Sequence, residues 1–174
     1  SNPRHQEVSA TQYAGVSGRS AAVDSLDVVL LGATQVDVDF NVNVHTDSNG
    51  FIMGGSGGHS DTAAGAKLAI IIAPLTRARL PLVVDRCLCI STPGRTVDVV
   101  VTQRGIAVNT KNGKNQELKE ALLKAKLPVC EIEDLKRMAE EIAGVPKAVE
   151  LSDRVVANVL YRDGTLQDTI KAVR

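Results

Sequence analysis

A chain with almost no aromatic side chains has few ways to fill a core. Here aromatics are 2% of the residues and Trp is absent, yet 44% of the residues are hydrophobic. The interior must therefore be built from Val, Ile, Leu and Ala. β-Branched residues pack best on the pleated surface of buried strands. This content favours an α/β fold, an open layered sheet with helices on its faces. It also excludes a disordered chain. At 174 residues the chain suits one domain with a sizeable core.

The hydrophobic pattern places the elements. Residues 1–22 are polar, with scattered Gly and Ser and no period, and read as an arm or linker. Residues 23–174 read as the α/β domain, the C-terminal part of a longer chain. Leu26–Ala33 is a continuous apolar run ending in Gly-Ala, the pattern of a buried strand. From Val36 to Val44 the residues alternate, VDVDFNVNV. A strand there would put the valines and Phe40 on one face and Asp37, Asp39, Asn41 and Asn43 on the other. Further strands are expected at Phe51–Met53, Leu68–Ala73, Leu82–Ile90, Val97–Thr102, Ile106–Val108 and Pro128–Ile132. Helices are expected at Asn115–Lys126 and Glu133–Ile142, the second ended by Gly144 and Pro146. Val155–Tyr161 and Leu166–Val173, joined by Asp163-Gly164, predict a closing hairpin.

Charge narrows the partners. Lys plus Arg and Asp plus Glu are 20 each, for a formal net charge of zero. A nucleic-acid binder usually shows a basic excess, so no nucleic-acid partner is expected. The balance also gives no general pull on an anionic substrate, so any anion site must be local. Cys87, Cys89 and Cys130 form neither a C-x-x-C pair nor an even disulfide set. They read as small apolar residues in a reducing compartment. No signal-peptide pattern or membrane-length apolar run is present. A cytoplasmic protein with no membrane partner is expected.

The informative segment is Gly54-Gly55-Ser56-Gly57-Gly58-His59-Ser60-Asp61, between a strand and a stretch of small residues that reads as a helix. Its glycines let a ligand approach the main-chain N–H groups. Successive N–H groups can make an anion nest for a phosphate or a developing oxyanion. Ser60 or Asp61 can cap the helix. The segment lacks the Lys-Ser/Thr of a P-loop, and Ser60 stands where a G-x-G-x-x-G pattern needs Gly. A purely structural turn fits it equally well.

Gly54, Gly55, Ser56, Gly57 and Gly58 are thus the candidate cofactor contacts, and His59 and Ser60 the candidate catalytic residues. His59 reads either as a proton or hydrogen-bond donor or as a turn histidine. His45 reads as a surface residue. Asn41 and Asn43 can hold carboxylate or carbonyl oxygens, or line a wet sheet face. Arg77 and Arg79 can clamp a polycarboxylate, or stand solvated in a loop. No Cys/His cluster has zinc spacing, and no metal is expected.

Four blocks together resemble the alpha subunit of citrate lyase: VDVDFNVNV, NGFIMGGSGGHSDTAAGAKL, VVDRCLCISTPGRTVDVVVTQRGIAVN and DRVVANVLYRDGTLQDTIKAVR. The resemblance runs from about Ser25 to the end, and the glycine block is the most distinctive. More distantly, the chain looks like the second half of a family I CoA-transferase subunit, with a NagB/RpiA/CoA-transferase-like fold. The resemblance implies a citrate CoA-transferase activity, in which acetyl on an acyl carrier protein is exchanged for citrate and acetate is released. A beta subunit (citryl-ACP lyase) would then cleave the citryl thioester to oxaloacetate and acetyl-carrier. The implied cofactor is the phosphoribosyl-dephospho-CoA group on the gamma (acyl carrier) subunit, or acetyl-CoA. The implied partners are the beta and gamma subunits, citrate and acetate, within an oligomer. The family's alpha chain is much longer than this one. The Ser-Glu-Asn-Gly motif carrying the glutamyl nucleophile of family I CoA-transferases is absent here, so half a site is expected. A general acyl-CoA:carboxylate CoA-transferase and a non-catalytic assembly domain are the alternatives.

Overall fold

The computed structural model describes residues 2–15 and 21–174. Of the expected arm, residues 1 and 16–20 lie outside the described residues. The rest of it contains a short helix, α1 (Ala10–Ala14). A capping box starts this helix: Ser9 Oγ accepts from Gln12 N, and the Gln12 side chain accepts from Ser9 N–H. β1 (Val28–Leu31) realises the first apolar run, but Val28 and Leu30 are exposed on it.

The alternating segment is not one strand. β2 (Gln35–Asp37) and β3 (Val42–Asn43) pair antiparallel across a tight turn, in which Phe40 has φ 63°. Asp37 builds the turn. Its Oδ1 accepts from Asp39 N and Asn41 N, and its Oδ2 from the Asn41 amide and Cys87 N. Val36, Phe40 and Val42 are buried as expected, but so are Asp37 and Asn43. Asp37 and Asn43 thus point into internal hydrogen bonds, while Asp39 stays exposed.

After the glycine segment come α2 (His59–Gly65), β4 (Leu68–Ile72), β5 (Thr76–Arg77), β6 (Leu80–Pro81) and β7 (Val83–Val84). Phe51–Met53 forms only a single bridge, Thr46 to Ile52. The strand expected over Leu82–Ile90 shrinks to β7. Beyond it the backbone donors go to side chains: Cys87 N to Asp37, Leu88 N to Gln35, and Ile90 N to Asp168. A ladder cannot form on donors already taken. Cys87 and Cys89 are buried in this irregular stretch.

The chain continues through β8 (Val99–Val101), β9 (Ile106–Val108), α3 (Gln116–Lys124), β10 (Val129–Cys130) and α4 (Ile132–Ala143). The main sheet has the order β1-β4-β8-β9-β10. β1, β4 and β8 are parallel; β9 turns back antiparallel to β8, and β10 runs parallel to β9. A second sheet has the order β3-β2-β7. One core joins them: Val36, Phe40, Val42, Ile71, Leu75, Leu82, Val83, Val97 and Val100 pack with Ile132, Leu135 and Ala139 of α4. Those three share one face of α4; Ile132, expected at the end of a strand, is instead the first residue of this helix. β11 (Leu151–Leu160) and β12 (Leu166–Val173) form the expected hairpin. It covers a smaller core of Cys89, Val159 and Ile170.

Candidate functional site

The glycine segment is an exposed loop feeding α2. A Cβ built on Gly54, Gly55 or Gly57 would meet no atom within 4 Å. Gly57 sits at φ +56°, in the left-handed region that favours glycine. The N–H groups of Gly54, Gly55, Ser56, Gly57 and Gly58 find no hydrogen-bond partner among the described residues. On either side the backbone is tied down: Met53 N–H donates to His45 C=O at 2.8 Å, and His59 N–H to Ser56 C=O at 3.2 Å. The result is an anchored loop with five donors that meet no acceptor among the described residues. Phe51, Ile52 and Met53, all more than half exposed, make an apolar approach to it. The Tyr13 ring lies beside Gly58, so the arm reaches this loop.

α2 begins at His59, ahead of both expected caps. Its N-cap is Gly58, without a side-chain cap, so neither Ser60 nor Asp61 caps it. Ser60 is buried within the helix. Thr62 Oγ1 instead donates to the Gly58 and His59 carbonyls, which ties the loop to the helix.

His59 uses both ring nitrogens on the protein. Nε2 lies 2.8 Å from the Gly32 carbonyl oxygen and Nδ1 2.7 Å from Thr92 Oγ1. A carbonyl only accepts, so Nε2 carries the proton and the Thr92 hydroxyl donates to Nδ1. Burial pushes the His59 pKa down; the Gly32 bond opposes the shift and the nearby His45 adds to it. His45 is half-buried, and burial lowers its pKa too. Its Nδ1 contacts Ser91 Oγ.

The two asparagines serve the frame. Asn43, wholly buried, donates to Gln35 and Thr46 and accepts from His45 N and Thr46 N. Asn41 donates to Asp37 and accepts from Gly94 N. The two arginines part company. Arg77 lines a cavity of about 160 Å³ with Thr34, Asp47 and Met53, immediately before the glycine loop. Arg79 stands exposed in the β5–β6 turn at φ 64°. A larger cavity of about 530 Å³ lies beneath the closing hairpin, and none of the expected site residues lines it.

The sequence did not point to Gly32, Ser91 and Thr92. They reach the histidines across 27 to 46 residues, and the one local hint is that Ser91-Thr92 sits in front of the Pro93-Gly94 turn. Among the described residues, no group of three or more His, Cys, Asp or Glu could hold a metal ion. No described helix is long and apolar enough to cross a membrane.

The family profile described as "Citrate lyase, alpha subunit (CitF)" matches residues 1–173. The chain is 51% identical over 173 residues to the citrate lyase alpha chain of Klebsiella pneumoniae, and 50% to that of Haemophilus influenzae. In both cases the match covers 99% of this chain and 34% of the relative. The chain therefore spans about a third of the length of the curated relatives it matches. A crystal structure from Streptococcus mutans, described as the alpha subunit of citrate lyase in complex with citrate, superimposes with a TM-score of 0.93. It is 43% identical, over 99% of this chain and 33% of that one.

Proposed function

Because this chain belongs to the citrate lyase alpha-subunit family, we propose that it carries the thioester-binding half of a citrate CoA-transferase site. The complete subunit exchanges acetyl for citryl on the acyl carrier, and acetate leaves. The thiol is that of the phosphoribosyl-dephospho-CoA group on the gamma subunit, and the beta subunit takes the citryl-carrier onward. The observation that carries this reading is the row of five N–H groups, unpartnered among the described residues, on an open, anchored loop.

The chemistry asks for such a loop. A citrate carboxylate attacks the thioester carbonyl carbon, and the carbonyl π pair moves onto oxygen. Preorganised N–H groups aimed at that oxygen stabilise it as charge develops. Gly54, Gly55, Ser56, Gly57 and Gly58 supply these donors. Phe51, Ile52 and Met53 receive the apolar part of the pantetheine arm. Arg77, beside Met53, draws in a citrate carboxylate; the description of the S. mutans relative in complex with citrate supports citrate as the acid. His59, Ser60, Asn41 and Asn43 position the loop and the strands beneath it, while Arg79 stays in the solvent.

We read the open sheet, with α2 following the glycine turn, as the NagB/RpiA/CoA-transferase type of fold. Residues 1–22 act as an arm and 23–174 as the domain. The three cysteines are free, which supports a reducing cytoplasm.

The test is citrate-dependent release of acetate from acetyl-carrier by the complete alpha subunit, without the beta subunit. We expect one acetate per citryl-carrier formed. Carrier binding without exchange would make this chain an assembly domain instead.

A further inference from the structure

Two histidines contact a Ser-Thr pair: His59, at the end of the glycine loop, meets Thr92, and His45 meets Ser91. Thr92 fixes His59 with its proton on Nε2, and that proton is spent on the Gly32 carbonyl. Ser91 does the same for His45, with a different outcome. Ser91 is 2% exposed, and its Oγ already accepts from Val44 N–H at 2.9 Å. The acceptor in contact with its hydroxyl is His45 Nδ1. A buried hydroxyl that did not donate would leave its proton unsatisfied. The Ser91 hydroxyl therefore donates to Nδ1, and His45 carries its ring proton on Nε2. That Nε2–H has no partner among the described residues. The main-chain carbonyl of His45 receives the Met53 N–H at 2.8 Å, so the ring belongs to the residue directly opposite the start of the loop.

We infer that His45 is a catalytic residue of the proposed exchange, its Nε2–H donating a hydrogen bond to the oxyanion on the thioester carbonyl, with Ser91 as the positioning residue that sets its tautomer. The inference rests on the transferase reading. When the carboxylate attacks, a C–O bond forms and the carbonyl electron pair moves onto oxygen. When the adduct collapses, the C–S bond breaks and its pair leaves on sulfur as thiolate, giving a mixed anhydride. The thiolate then attacks the citryl carbonyl; a C–S bond forms, the bond from the citryl carbonyl carbon to the bridging oxygen breaks, and acetate departs with that oxygen and the electron pair. His45 keeps its proton throughout, so the exchange needs no other reactant. Burial keeps the ring neutral, and a neutral imidazole can serve as the electrophile at an oxyanion.

The experiment uses the complete alpha subunit with acetyl-carrier and citrate, with a melting curve for each variant. His45→Ala should lower kcat by about 10²–10³-fold, the loss seen for a single oxyanion donor, and leave the KM for carrier nearly unchanged. His45→Gln, whose amide can place an N–H near the Nε2 position, should recover part of that loss. In wild type, the ¹⁵N shifts of the His45 ring should place the proton on Nε2, and Ser91→Ala should mix the tautomers and lower kcat. A folded His45→Ala subunit at wild-type rate, or a proton on Nδ1, would overturn the role of His45 and leave the transferase reading standing. A wild-type subunit that performs no exchange would overturn both.

Discussion

His59 is the residue where sequence and structure part most clearly. Its place at the end of the glycine run suggested a donor to a ligand, but Gly32 and Thr92 occupy both of its nitrogens. Removing the ring leaves a carbonyl and a hydroxyl without their partner, which costs about 1–3 kcal/mol. We expect His59→Ala to melt earlier and to lose much less kcat than His45→Ala. Burial holds the pKa values of both rings below the ordinary 6.5. The unfolded chain therefore binds these protons at a higher pH than the folded one. The sign follows: their contribution to stability is complete above 6.5 and is lost as pH falls through the depressed folded values. The melting temperature of the parent should drop on going from about pH 7.5 to 5.5, and that of His59→Gln should drop less. An equal drop in both would mean that His59 is not held neutral by its burial.

Among the elements, the turn at Pro93-Gly94 holds the site's strands in register. A Cβ on Gly94 would lie 2.0 Å from the Asp39 carbonyl oxygen, and Gly94 N–H donates to Asn41 at 2.8 Å. Neither backbone can yield cheaply. Gly94→Ala should destabilise by at least about 1–3 kcal/mol, the usual range for overpacking. A denaturant titration that finds the variant as stable as the parent would contradict this packing. The elements the sequence revealed are those whose period alone decides them. α4 shows its stripe of Ile132, Leu135 and Ala139, and β9 and the closing hairpin follow their apolar runs. VDVDFNVNV was illegible as a hairpin, because alternation is the same in one strand and in two short ones. What breaks it is the Asp37 carboxylate collecting four N–H groups, one of them from Cys87, 50 residues away. The site divides in the same way. The glycine loop is local and could be read; the Ser91 and Thr92 contacts with the histidines are long-range and could not.

For the whole molecule, the described surface has one feature that composition hides. Val28 and Leu30 of β1 and Ile72 of β4 are each at least half exposed on one side of the main sheet, while Ala69 and Ile71 on the other side are fully buried. One face of the sheet thus carries the core and the other presents bare apolar side chains. The glycine loop meanwhile stands open before α2, its donors unspent among the described residues. On the proposed function, this loop binds the reacting thioester through its backbone. Gly55→Val in the complete subunit tests it most directly. A Cβ added there meets no atom within 4 Å, so the fold should tolerate the change, yet the side chain would stand where the thioester must approach the N–H groups. We expect the melting temperature to stay unchanged and citrate-dependent release of acetate from acetyl-carrier to fall at least about a hundredfold. Exchange at the parent rate by a folded Gly55→Val subunit would contradict the claim and leave the loop as a turn.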